Sequence, residues 1–349
     1  MKNKKIFALL MVLVVLSTLV MACGGSGKTT LNVLNWGEYL EPELIQEFEK
    51  ANPDIKINYS TTVSNEEMYT VSTTKDSKVD LIVPSDYLVE RLINEDMAAE
   101  LDLSNIPNFK YVEDAAKTRT FDPDSKYSIP YMMGTVGIVY NKTLVDDPVD
   151  SWEILWDEKY SGKIMMYDSI RDSLMVGLSR LGYDINTTDQ AQVEEAGELL
   201  KEQRPLVLSY GTDNIQYDMI GGSVALAVDY SGAAAAAIME NDDLDYIVPK
   251  EGSNIWVDNL LVMKNSKNKE TAERFINFLC DPEVAARNAE YIGYTTPNKE
   301  AEAYIDAELL ENPAYLITDD IIARCAYFRD LGDGLSIYND VWMDVKTSK

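Results

Sequence analysis

Short apolar stretches with strand character alternate with helical ones through almost the whole chain, and that alternation limits the fold more than any other feature. Residues 30–36 read as a strand running into a loop. Pro42 then suits a first helical turn, and Leu44, Ile45, Phe48 and Ala51 recur at helical spacing. Asn52-Pro53 stops that helix, and Ile55, Ile57 and Tyr59 alternate as a second strand. Residues 79–85 read as an apolar strand ending in a polar turn. Strand, helix and strand at this spacing predict an α/β domain with a largely parallel sheet. The style repeats further on. A strand at 163–167 is followed by Asp168 and Ser169, placed to cap a helix, and Val193, Ala196, Leu199 and Leu200 mark another helix. A strand at 224–228 flows into an alanine run at 233–237, and two closely spaced helices follow at 272–279 and 282–291. The body holds no internal repeat and no long polar linker, so a two-lobed protein is expected whose chain crosses between lobes more than once.

The first residues add an address. Lys2, Lys4 and Lys5 precede an apolar run at 6–20, and Cys23 stands directly behind a small residue and ahead of Gly24-Gly25-Ser26-Gly27. A basic head, an apolar middle and a small residue at the cut mark a secretory signal, and the run falls short of the ~20 residues of a membrane span. The cysteine behind the cut reads as a lipoprotein signal. Residues 1–22 are then the signal peptide, Cys23 carries the lipid, and 23–27 form a flexible tether. The protein is expected to be exported and held by its lipid anchor on the cell membrane, facing the periplasm or the extracellular side.

Composition narrows the chemistry. With 31 Lys+Arg against 59 Asp+Glu the formal charge is −28. Such an excess argues against nucleic acid, whose phosphates it would repel, and suits a cationic partner or simple solubility. Histidine is absent, which removes Ser-His-Asp and Cys-His catalysis and every His-containing zinc site. Carboxylate-only acid–base chemistry, as in glycosidases, stays open. Cys280 closes an apolar helical pattern and reads as a buried free thiol rather than half of a bridge. No catalytic residue, metal ligand or cofactor is assigned.

Three polar-aromatic clusters stand at strand ends: Asn35-Trp36-Gly37-Glu38-Tyr39, Pro84-Ser85-Asp86-Tyr87 and Trp256-Val257-Asp258. In the last, Trp and Asp are two apart and share one side of a strand. An aromatic face beside a carboxylate suits an ammonium group, through a charge-assisted hydrogen bond and cation–π attraction.

The fragments Asn35-Trp36-Gly37-Glu38-Tyr39, Asp80-Leu81-Ile82-Val83-Pro84-Ser85, Tyr127-Ser128-Ile129-Pro130-Tyr131, Val248-Pro249-Lys250-Glu251-Gly252, Trp256-Val257-Asp258 and Ile292-Gly293-Tyr294-Thr295-Thr296-Pro297-Asn298 form an ordered set. In that order they resemble the spermidine/putrescine-binding proteins of bacterial ABC importers, over nearly the whole body of the chain. The resemblance implies a two-lobed periplasmic-binding-protein fold closing on an extended polyamine, with ABC permease subunits as partners and a monomeric binding protein. It implies an aromatic box at Trp36, Tyr39, Tyr87, Trp256 and Tyr294, with Tyr230 where the family often has a second Trp. It puts ammonium-binding carboxylates at Asp172 and Asp258, with Glu38 nearby and Ser85 as a polar contact. Gly37, Ser169 and Phe328 stand where relatives have Thr, Asp and Gln, so contacts at the ligand's ends are expected to differ. It also implies one lobe at 28–135 plus 257–302 and the other at 136–256 plus 303–349. Two other readings stay open: a binding protein for another organic cation or for ferric ion, and an enzyme using Cys280, Cys325 or paired carboxylates.

Overall fold

The computed structural model describes residues 27–117, 119–212 and 214–348. The expected signal peptide, Cys23 and the expected tether up to Ser26 lie outside the described residues. The strands are β1 (Thr29–Trp36), β2 (Ile55–Thr62), β3 (Leu81–Ile82), β4 (Ser128–Asn141), β5 (Ile164–Tyr167), β6 (Val207–Gly211), β7 (Leu226–Tyr230), β8 (Leu244–Ile247) and β9 (Ile255–Val262). They lie in the order β2-β1-β3-β9-β4-β7-β5-β6, with β8 also on β4.

The outer strands are parallel: β1 with β2 and β3 on one side, β5 with β6 and β7 on the other. Parallel neighbours need a crossover, and helices supply it. The helix Pro42–Ala51 joins β1 to β2, starting at its proline and burying Leu44 and Phe48. Phe48 meets Phe275 of the helix Lys269–Leu279 edge-on at 4.8 Å. The centre of the sheet is antiparallel, because β9 runs against both β3 and β4, and β4 against both β7 and β8. The sheet is therefore mixed, with its parallel pairs grouped at the two flanks.

β4 ties the flanks together. Residues 128–135 pair with β9, and from Val136 onward the strand pairs with β7 and β8. Every residue of the strand except Tyr140 is buried. Pro130, which has no N–H to give to a ladder, stands where the β4–β9 register shifts. The Tyr131 hydroxyl at that irregularity donates to the Tyr39 carbonyl at 2.7 Å and accepts from Asn288 at 2.7 Å. The helix Leu335–Thr347 packs Tyr338, Trp342 and Val345 onto the core of the β5–β7 flank, with Met166, Leu174 and Leu178. Cys280 is buried and free, and burial pushes its thiol up to about 12; Cys325 is free and half-buried. No helix among the described residues is long and apolar enough to cross a membrane.

Gly134 on β4 faces Trp256 across the ladder, where a Cβ would lie 2.4 Å from the indole Cζ2 and 2.8 Å from the Ser231 hydroxyl. Gly134→Ala is expected to lower stability by about 1–3 kcal/mol, the usual cost of overpacking, read as a lower urea midpoint at an unchanged m-value.

Candidate functional site

The strand ends of both flanks converge on β9, as expected for ligands bound outside the carboxyl ends of strands. β1 ends at Trp36, and the following turn holds Glu38 at φ +48° and brings Tyr39 into the core. After β3, Ser85 forms an isolated bridge with Asp258 of β9, and the Asn259 N–H donates to the Pro84 carbonyl at 2.9 Å. The helix Asp86–Asn94 starts there. Beyond β5, the Ser169 hydroxyl caps the helix Ile170–Leu181 by accepting from the Asp172 N–H at 3.4 Å. β7 ends at Tyr230, and Gly293 closes the helix Pro282–Ile292 in the left-handed conformation to present Tyr294.

Five edge-on ring contacts join these elements into one aromatic chain. Tyr131 meets Tyr39 at 5.7 Å, Tyr39 meets Tyr294 at 6.1 Å, and Tyr294 meets Trp256 at 4.8 Å. Trp256 then meets Tyr230 at 6.1 Å, and Tyr230 meets Tyr167 at 4.8 Å. The chain runs from the β1 flank across β9 to the β5–β7 flank. Gly232 permits this close approach, since a Cβ there would lie 2.3 Å from the Tyr294 ring.

Among the carboxylates buried around these rings, Asp258 is 6% exposed, Asp172 3% and Asp86 1%. Each keeps an oxygen without a hydrogen-bond partner, Oδ1 of Asp258, Oδ1 of Asp172 and Oδ2 of Asp86. The indole N–H groups of Trp36 and Trp256 are buried and unpartnered too. An unmet buried polar group costs about 1–3 kcal/mol, so such a concentration marks a place shaped for something other than the fold.

The electrostatics agree. Burial raises the Asp258 pKa from the ordinary 3.8 to about 6, against the opposing pull of the Ser85 and Tyr39 side chains. Burial also raises Asp172, opposed by Ser169, by the Tyr230 hydroxyl donating at 3.0 Å, and by Arg171. Asp86 is pushed well above the carboxylate range by burial; backbone N–H groups of Tyr87 and Val257 pull it down, the nearby Asp258 charge adds to the rise, and Arg171 opposes it.

Trp256, Tyr294, Tyr39, Tyr230, Asp258, Asp172 and Ser85 thus come together. Trp36 packs at the edge of the same core, half-buried. Tyr87 is half-buried beside them, but its hydroxyl turns to Asn65, from which it accepts at 2.9 Å, and to Glu66. Glu38 is exposed and takes no part in the ring contacts. The sequence reading passed over Tyr131, Tyr167, Arg171 and Asp86, although Tyr131 and Asp86 lie inside the quoted fragments. Two departures from the family pattern have structural roles: Ser169 is the helix cap just described, and Phe328 lies beneath the Arg171 guanidinium at 4.2 Å. At Gly37 a Cβ would meet nothing within 4 Å, so packing does not require glycine there.

A groove of about 330 Å³ beside Lys250 and Arg324 is lined by none of these residues. No group of three or more metal-ligating side chains occurs among the described residues.

The family model for bacterial extracellular solute-binding proteins matches residues 43–316. The spermidine/putrescine-binding periplasmic protein of Escherichia coli is 36% identical over 330 residues, covering 94% of each chain. The solved structure of a spermidine/putrescine ABC transporter substrate-binding protein from Streptococcus pneumoniae superposes with a TM-score of 0.83 at 35% identity, over 92% of this chain and 99% of that one. A lipoprotein of Treponema pallidum also gives 0.83, at 27% identity, over 90% of this chain and 99% of its own.

The raised pKa has a consequence for stability. With the folded value near 6 and the unfolded one at 3.8, Asp258 favours the fold while protonated, and that contribution is lost as pH rises through about 6. Asp258→Asn is therefore expected to melt no lower than wild type at pH 5 and higher than wild type at pH 8, in scanning calorimetry without ligand. A lower melting temperature at both values would assign Asp258 to the fold.

Proposed function

Since the chain belongs to the bacterial extracellular solute-binding protein family, we propose that it captures a linear polyamine, spermidine or putrescine, and delivers it to an ABC importer. The observation that carries this reading is the set of buried, unpartnered carboxylate oxygens beside the faces and edges of Trp256, Tyr294, Tyr39 and Tyr230.

A polyamine answers both halves of that arrangement. Its ammonium groups bond to Asp258 and Asp172 at about 1.5–3 kcal/mol for each charged hydrogen bond. Its methylenes lie along the rings, and a cation over a ring adds about 0.5–2 kcal/mol. Ser85 serves as a polar contact, and Trp36, Tyr87 and Glu38 border the site. Opposing costs are the desolvated ammonium groups and the ligand's lost rotamers; the carboxylates are already desolvated. Indole faces suit an organic cation better than ferric ion, whose ligands would be oxygen donors. Cys280, buried with its thiol pushed up to about 12, makes a poor nucleophile, and the protein releases its ligand chemically unchanged.

Closure between two lobes is part of the reading. The boundary near 135 is supported by the change of β4's partner from β9 to β7 between Thr135 and Val136. Anchoring through Cys23 is supported by the signal pattern and by likeness to the Treponema pallidum lipoprotein.

Titration calorimetry with spermidine and with putrescine tests the function. Saturable one-to-one binding is expected. Because the cation binds ionised Asp258, affinity should rise as pH increases through about 6 and be about tenfold weaker at pH 5 than at pH 8. Trp256→Leu should weaken binding less than Asp258→Asn, which loses roughly 2–5 kcal/mol by analogy with broken buried charge pairs. Absence of heat with both ligands, or turnover of either, would overturn the reading. For the anchor, wild type should partition into detergent and a chain starting at Ser26 should stay in the aqueous phase; equal partitioning would contradict lipidation at Cys23.

A further inference from the structure

We infer that Asp86 is a third ligand carboxylate, which together with Asp258 receives the cationic end of the bound molecule at the β9 side of the site. The inference rests on the polyamine reading and assigns a binding residue to it.

Placement comes first. Asp86 is the first residue of the helix Asp86–Asn94 and follows Ser85, whose backbone bridges Asp258. The Asn259-to-Pro84 hydrogen bond at 2.9 Å clamps the same corner onto β9. From the other side, Asn65 accepts from the Ser85 N–H at 3.1 Å and donates to the Tyr87 hydroxyl at 2.9 Å. The carboxylate is thus fixed by backbone contacts on both sides.

Its own bonds do not satisfy it. Oδ1 accepts from the Tyr87 N–H at 2.7 Å, and the Val257 N–H also acts on the carboxylate, while Oδ2 is buried and has no hydrogen-bond partner. An ionised carboxylate has about four acceptor positions, so part of its capacity is unused. The charged and titratable groups facing it are Asp258 from β9, Arg171 from the helix Ile170–Leu181, Tyr87 from its own helix, and Tyr327 from the segment after the helix Asp319–Arg324. Arg171 is the one cation in this set, and it is engaged elsewhere. Its Nη1 donates to the Arg329 carbonyl at 3.2 Å and its Nη2 to Asn186 at 2.9 Å, with its guanidinium stacked on Phe328. Two carboxylates therefore sit near each other, each with a free oxygen, and no ion pair among the described residues neutralises either.

A helix start favours an acidic residue through the helix dipole, by about 0.3–1 kcal/mol at an exposed site. That explains why a carboxylate is tolerated here, but not why it is fully buried next to a second one. A primary ammonium resolves the arrangement, because its three N–H donors can reach free oxygens on both side chains. The ligand class is then a di- or polycation with a primary ammonium at this end and a second cationic nitrogen toward Asp172.

Asp86→Asn keeps the shape and removes the charge, and Asp86→Ser is measured alongside as a second residue suited to a helix start. Calorimetry with putrescine and spermidine is run at pH 6 in two buffers of different ionisation enthalpy, which gives both affinity and protons released. Both variants are expected to bind about 10- to 100-fold more weakly than wild type, the loss of a charged hydrogen bond. They should release fewer protons than wild type and melt no lower without ligand. Binding within about threefold of wild type with unchanged proton release would overturn the inference, leaving Asp86 a helix-start residue. A lower melting temperature with unchanged proton release would do the same. If wild type binds neither ligand, the polyamine reading falls and this inference with it; if wild type binds and the variants match it, only this inference falls.

Discussion

Buried negative charge that no ion pair among the described residues answers is the constraint on which the rest of this structure turns. Asp258, Asp172 and Asp86 stand among aromatic rings with free oxygens, and Arg171, whose charge acts on Asp172 and Asp86, is committed to Arg329, Asn186 and Phe328. In a protein interior that arrangement costs stability, and the carboxylates respond by holding protons more tightly than they would in water. On the proposed reading a ligand cation exchanges with those protons, so that ligand capture and unliganded stability oppose each other at the same residues.

The fold is organised to hold that cluster together. β4 is shared between two flanks of the sheet, so the strand that pairs with Trp256 and Asp258 also pairs with the strand ending at Tyr230. Gly134 and Gly232 let the Trp256 and Tyr294 rings approach the backbone, and Tyr131, at the register shift beside Pro130, donates its hydroxyl to the Tyr39 carbonyl. Behind Asp258, buried Arg119 donates to Asn259, Ser125 and the Ser128 carbonyl, fixing β9 from its far side. The aromatic chain is thus supported by backbone geometry on both flanks.

Much of this was legible in the sequence where periodicity is clean. The helix at Pro42, the alternation in β2 and the cap at Ser169 follow from local chemistry, and the structure shows each of them. β4 is harder to read, because a strand buried on both faces has no alternation; only its first residues entered the reading, as part of a quoted fragment. The helix Leu335–Thr347 was not read at all, although Tyr338, Trp342 and Val345, which it buries, recur at helical spacing. Within the site, Trp256 and Asp258 stood out through their spacing on one strand. Asp86 did not, because an acid at a helix start is usually solvated, and only its burial against Asp258 separates it from that default. Glu38, adjacent in sequence to Trp36 and Tyr39, is turned outward by a left-handed residue that no pattern announces.

The most direct measurement is a diffraction structure of the protein crystallised with spermidine. The account predicts ammonium nitrogens about 2.7–2.9 Å from the free oxygens of Asp258 and Asp172, the distance of a charge-assisted bond, with the methylenes laid along Trp256. Spermidine bound away from these residues, with the three carboxylates still unpaired among the rings, would contradict it.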